Sequence, residues 1–290
     1  MCKFRLLTDS TADLPASLVE ELDLQVYPMA FVLEEKAYRD YPDGRELDIH
    51  AFYESLRHGK MSSSSQINQQ QMVDWVSPFL ENGEDVLYLS FSSGLSGTYQ
   101  SARLAQEELR ERFPDRTFTV VDSLCASMGE GLLAYYAAAM RQKGCTLKET
   151  AAWLEENKLK LCHWFTVDDL HHLKRGGRVS PATAVVGTML NIKPVLHVDD
   201  NGHLIPMEKV RGRRQSLEAL VRHMKETVEN PEEQMIFISH GDCPQDAEYV
   251  AGRIRETMTV RDIRIHTIGP VIGTHSGPGT VALFFLGSHR

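Results

Sequence analysis

The chain has 290 residues, 42% of them hydrophobic and 24% charged, which suits one large domain or two of ordinary size and excludes wholesale disorder. A net charge of −9 argues against a dedicated nucleic-acid binder, because phosphate neutralisation needs a concentrated basic face and the run "KVRGRRQ" at 209–215 is too short to make one. Five cysteines at irregular spacing, with no CxxC pair, point away from a disulfide framework or a zinc site. No stretch approaches 18 uninterrupted apolar residues and the N-terminus carries no secretory pattern, so a cytoplasmic protein is expected.

In chain order, "FRLL" (4–7) reads as a strand ending at "TDSTADLP", and "LQVYPMAFVL" (24–33) as a second extended segment. A helical pattern at 69–80 precedes the strand "DVLYLSF" (85–91). The segment 98–113 sets Ala102, Ala105 and Leu109 near one face with charges opposite, the spacing of an amphipathic helix. A strand at 118–123, a buried helix over 129–144 and a capping box, "TLKE", opening a helix to about Asn157 complete the first half. Apolar strands alternating with helices indicate a parallel sheet covered on both faces, here residues 1–160.

The second half differs. After "LCHWFTV" (161–167) come the turn "LKRGGRVS" and a small-residue helix "ATAVVGTMLN" (182–191). "KPVLHVD" and "HLIPMEKV" flank "DNG" (200–202), a hairpin signal. A helix (214–228), a strand (235–240), a helix (245–258), a strand (263–269) and a glycine-rich end follow. The pattern predicts a second α/β domain with a mixed sheet over 161–290.

Loops at strand ends carry hydroxyls: "TDST" (8–11), "SSSSQ" (62–66), "SSGLSG" (92–97) and "DSLCAS" (122–127). Ligands of open parallel sheets bind outside the carboxyl ends of the strands, where helix N-termini favour negative charge. Ser96 sits at such a helix start, with Gly94 and Gly97 permitting close backbone approach, so it reads either as a helix cap or as an anion contact. A nucleophile reading is weaker, because Thr98 stands where a G-x-S-x-G elbow needs its last glycine, although His240 and His275 are available as bases on paper. His171 and His172 lack metal-ligand spacing and read as exposed helix residues, and Cys243 as part of a helix start. In "GPVIGTHSGPGTVALFF" (269–285), a histidine among hydroxyls and glycines leads into an apolar segment; a ligand with a charged head and a greasy tail would suit that pairing.

These stretches resemble the DegV family. "TDSTADLP", "SSSQ", "SSGLSGTYQSA", "LKRGGRVS", "LNIKPVL", "VRGRRQS" and "GPVIGTHSGPGTVA" occur in the family's order along essentially the whole chain. The resemblance implies two α/β domains, a bound long-chain fatty acid such as palmitate with its carboxylate near the domain junction, and an apolar tunnel for the acyl tail to which 161–290 contributes. It also implies a role in fatty acid uptake and lipid metabolism. The acid would be presented to a separate ATP-dependent fatty acid kinase that makes the acyl phosphate, with transient membrane contact by the carrier. Position by position, the carboxylate-binding serine of the L-S-G-T motif falls on Ser96, beside Gly97, and the hydroxyl of the T-S-Q-P motif on Ser64. The histidine of G-T-H falls on His275 and the arginine of K-G-G-R on Arg178. Serine replaces threonine at 64 and Ile67 replaces proline, and four serines in a row leave Ser63 and Ser65 open as alternatives.

No GxxxxGK[ST] and no paired acidic motif suited to Mg²⁺ occurs, so the chain is expected to bind without turnover, with no cofactor or metal of its own. Arg178 and His275, the latter as a cation with ligand bound, would steady the head group, or Arg178 would help dock the kinase. The competing reading is a lipid hydrolase or acyltransferase using Ser96.

Overall fold

The computed structural model describes residues 4–168, 170–180 and 191–290. The helix expected over 182–191 falls, apart from Asn191, outside them. The first half opens with β1 (Phe4–Asp9) and β2 (Gln25–Tyr27). A small antiparallel sheet follows, made of β3 (Ala30–Leu33), β4 (Lys36–Arg39) and β5 (Ser62–Ser64). Next come β6 (Asp85–Ser90) and β7 (Phe118–Asp122), which complete a parallel sheet of order β2-β1-β6-β7.

Side-chain alternation along these strands sorts the core into two faces. Leu7, Val86 and Tyr88 pack with Val73, Val76, Ala102 and Ala105 from the helices Gln69–Glu81 and Thr98–Arg112. Leu6, Leu87 and Leu89 pack on the opposite face with Leu132, Leu133 and Ala137 of the helix Met128–Gln142. The capping box expected at Thr146 is present, with Glu149 closing it at the start of Leu147–Asn157.

The extended segment expected over 24–33 is two strands in two sheets. Pro28 cannot donate to a ladder, and the chain changes sheets there: β2 pairs with β1, and β3 pairs with β4 and β5. β4, β5 and the helix Ile49–Arg57 were not anticipated, although Asp48 caps that helix and Phe52, Tyr53 and Leu56 bury one face of it.

The second half builds a mixed sheet from β8 (Leu161–Thr166), β9 (Ile192–Val198), β10 (Leu204–Arg211), β11 (Met235–His240), β12 (Asp262–Thr267) and β13 (Val281–Leu286). Its order is β10-β9-β8-β13-β11-β12. The hairpin expected around "DNG" is the β9–β10 pair, with a bulge between Pro206 and Glu208. β11 and β12 run parallel, while β13 lies antiparallel between β8 and β11.

The helices Arg213–Thr227 and Pro244–Thr257 cover one face of this sheet. Its other face packs Phe165, Leu196, Phe237 and Phe284 against the helix Met128–Gln142, in a core continuous with Leu87 and Leu89 of the first sheet. That helix is thus a layer shared by both sheets, which accounts for its apolar sequence all round. The glycine-rich end folds as a short helix, Pro270–Ser276, a turn with Gly277 and Gly279 at positive φ, and then β13. Among the described residues, no helix is long and apolar enough to cross a membrane.

Candidate functional site

A cavity of about 540 Å³ opens between the two sheets, within the range of small-molecule sites. Ser64, Ser65, Gln66, Ser96, Gly97, Arg178 and His275 line one part of it. The rest is largely apolar, with Met29, Phe91, Phe165, Val198, Ile272 and Phe284 among its walls. All five residues singled out by the resemblance therefore meet on one cavity, from four separate segments of the chain.

The strand β5 sets the serine register. Ser64 stands opposite Phe31, and alternation turns Ser62 and Ser64 to the same side of the ribbon and Ser63 to the other. Ser62 Oγ lies 2.7 Å from Thr274 Oγ1, and Ser64 Oγ lies 2.8 Å from His275 Nε2. Ser63 does not line the cavity, whereas Ser65 does, one residue beyond the strand.

Ser96 lies one residue outside the position expected of a cap. Gly97 is the N-cap of Thr98–Arg112 and makes no side-chain cap bond; Ser96 Oγ accepts from the Thr98 N–H at 3.3 Å and lies 3.1 Å from Thr98 Oγ1. The two flanking glycines serve protein contacts. A Cβ on Gly94 would come within 2.6 Å of the Asn201 carbonyl oxygen in the β9–β10 turn, and one on Gly97 within 2.3 Å of Gln66 Oε1. Among the described residues, the hydrogen bonds of Ser96 Oγ are thus those with Thr98. His240 is not a cavity residue; its Nδ1 accepts from the Cys243 N–H, and Cys243 is the N-cap of Pro244–Thr257 as expected of a helix start.

Burial, with the positive charges of Arg178 and Arg175 nearby, pushes the His275 imidazole down to about 4. That depression favours the neutral imidazole near neutral pH; the cation expected with ligand bound needs an anion beside it to work against the depression. Its Nδ1 packs so tightly on Gly176 that a Cβ there would come within 2.3 Å, and it has no hydrogen-bond partner among the described residues. Arg178 is half-buried, donates from Nε to the Leu95 carbonyl at 3.2 Å, and also bonds the Gly176 carbonyl. His171 is exposed and His172 partly so, with Arg175 Nη2 2.9 Å from His172 Nδ1.

Two more of the hydroxyl-bearing loops reach the cavity, and the acids behind them were not foreseen. Thr11 and Ser127 also line the cavity, and both are tied to buried acids. Thr11 donates to Asp9 and lies 3.0 Å from Glu130 Oε2, Thr8 donates to Glu130 at 2.6 Å, and Ser127 donates to Asp13. Burial raises the carboxyl groups of Asp9, Asp13 and Glu130. Glu130, between two glycines at the head of an otherwise apolar helix, was the signal available in the sequence. The only cluster of His, Cys, Asp and Glu among the described residues that is tight enough for a cation is His50, Glu54 and Asp242, and Arg57 already pairs with both of its acids.

Comparison with known proteins fits this architecture. A family model described as "Uncharacterised protein, DegV family" matches residues 3–288. A DegV domain-containing protein of Clostridium perfringens is 48% identical over 290 residues, covering 100% of this chain and 99% of that one. A Thermotoga maritima structure described as revealing fatty acid binding function superposes with a TM-score of 0.84 at 34% identity, covering 99% of this chain and 100% of its own. A Thermus thermophilus structure, described as fatty acid binding of a DegV family protein, gives 0.88 at 29% identity, covering 98% and 99%. With its two α/β sheets, the mixed sheet following the parallel one, the chain belongs to the DegV family.

Proposed function

We propose that this protein binds a long-chain fatty acid, with the carboxylate among Ser64, Ser96 and His275 and the tail along the apolar walls, and hands it to a separate ATP-dependent kinase. The observation that carries the reading is the meeting of two hydroxyls, an imidazole and a guanidinium at one part of a largely apolar cavity. A buried carboxylate needs several donors, and these residues can supply them. Electrostatics supports the same orientation, because Arg178 stands beside the proposed head-group site.

The tail dominates affinity in this reading. At ~0.8 kcal/mol per buried CH₂, about fourteen methylenes give a ceiling near 11 kcal/mol before association costs. Head contacts then set orientation. The protein acts as a carrier without turnover, in which His275 and Arg178 steady the head group during phosphoryl transfer by the partner. The division at residue 160 into two domains, cytoplasmic residence and transient contact with a membrane belong to the same proposal.

Mass spectrometry of an organic extract of gently purified protein should reveal a co-purified long-chain acid, and Ser96→Ala should weaken palmitate binding and sharply lower acyl phosphate formation by a cognate kinase. Ligand-free protein indifferent to palmitate and oleate would end the proposal. Labelling of Ser96 by a fluorophosphonate would favour the hydrolase reading instead.

A further inference from the structure

Asp13 hydrogen-bonds at both carboxylate oxygens, one to the start of the Pro270–Ser276 helix and the other to the cavity residue Ser127. Its Oδ1 accepts from the Gly269 N–H at 2.9 Å, and Gly269 is the N-cap of Pro270–Ser276. Its Oδ2 accepts from Ser127, whose Oγ also lies 2.9 Å from Ser239 Oγ in β11. The helix that starts on Asp13 is one of seven residues, and its last turn carries Thr274 and His275, which reach Ser62 and Ser64. Displacing its start therefore displaces the imidazole.

The backbone at both partners is held in conformations that non-glycine residues seldom adopt, with φ of 50° at Asp13 and 53° at Ser127. Such residues persist where the surroundings over-determine them, and they cluster at functional sites. Gly269 completes the fit: a Cβ there would lie 2.9 Å from Asp13 Oδ1 and 3.1 Å from Asp40 Oδ2. Among the described residues Asp13 hydrogen-bonds to Ser127 and Gly269 and not to the proposed head-group residues, so its influence on them runs through the helix.

We infer that Asp13 is a positioning residue for the fatty acid head group, fixing the Pro270–Ser276 helix so that His275 meets Ser64 at the cavity; this rests on the proposed carboxylate site. An alanine at 13 offers no acceptor, so Gly269 and Ser127 both lose this partner.

The test uses the full chain, with palmitate and 1-hexadecanol delivered on cyclodextrin and followed by calorimetry, and with imidazole ¹⁵N–¹H correlation spectra recorded alongside. Asp13→Ala should weaken palmitate about tenfold, as expected for one misplaced polar contact, and hexadecanol less than twofold. The His275 signals should move while those of His223, stacked on Trp164 across the sheet, stay in place. Equal losses for acid and alcohol, no loss for either, or unmoved His275 signals would overturn the inference. Should Asp13→Ala fail to fold, Gly269→Ala presses on the same contact and is held to the same pattern. Wild-type protein that binds neither probe would refute the fatty acid reading, while the His275 spectra would still judge Asp13.

Discussion

Asp40 offers the sharpest quantitative test of the buried acids around the Pro270–Ser276 helix. Its side chain is 6% exposed, and its Oδ2 has no hydrogen-bond partner among the described residues. Burial raises its carboxyl from 3.8 to about 7, against the opposing pull of the Ser10 hydroxyl and the Val271 N–H. A carboxyl whose folded value lies above its unfolded one contributes full stability below about pH 3.8 and loses it as pH climbs through about 7. The gap is roughly three pH units, and at ~1.4 kcal/mol per unit the ionised form costs up to about 4 kcal/mol above pH 7.

Asparagine keeps the shape and an acceptor oxygen but never ionises. Asp40→Asn should therefore be more stable than the wild type at pH 8, by as much as ~4 kcal/mol, and equal to it at pH 3.5. Urea unfolding at the two pH values, compared as a difference between variant and wild type, reads this directly. His197, His266 and His275 are pushed down to about 4 by burial, so both proteins lose stability between pH 6.5 and 4. That common loss cancels in the comparison. A variant destabilised at pH 8, or favoured equally at both pH values, would refute the electrostatic account.

Two more outcomes follow from the cavity. Gly176→Ala places a Cβ within 2.3 Å of His275 Nδ1, so it should weaken palmitate binding about tenfold or more, measured by calorimetry. Shortening the acid from palmitate to myristate removes two methylenes, and at ~0.8 kcal/mol each the dissociation constant should rise by about fifteenfold; a flat series would mean that the tail is not buried.

The parallel sheet was legible because its strands are buried on both faces and read as continuous apolar runs, as in "DVLYLSF" and "FTVVDS". The hairpin at 200–202 and the cap at Thr146 were legible from turn and capping chemistry that acts within a few residues. What could not be read is what depends on distant neighbours. Pro28 was visible, but not that the chain leaves one sheet for another there. The serine run became a strand only through its pairing with β3, and that pairing is what distinguishes Ser64 from Ser63.

The site followed the same division. Ser96, Gly97 and His275 stood out by loop chemistry and took their roles from the resemblance, which also supplied Ser64 and Arg178; the cavity gathers them from positions up to 211 residues apart in the case of Ser64 and His275. Gly94 and Gly97 were correctly seen as close-approach positions, yet the approaching groups are Asn201 and Gln66. Whether His275 carries a charge depends on burial and on Arg178, neither of which a linear pattern contains. Asp13 and Glu130 stood in noticed motifs, but their burial is a property of the helix shared between the sheets.

The late position of β13 bears on how the protein emerges from the ribosome. β8 is synthesised more than a hundred residues before the strand that comes to lie beside it, and β11 must likewise wait for its inner neighbour. Until then both present open edges, the kind of surface that invites aggregation and chaperone engagement. His275, Thr280 and Phe284 arrive with that same closing segment, so a nascent chain has no finished receptacle in which a stray lipid could lodge.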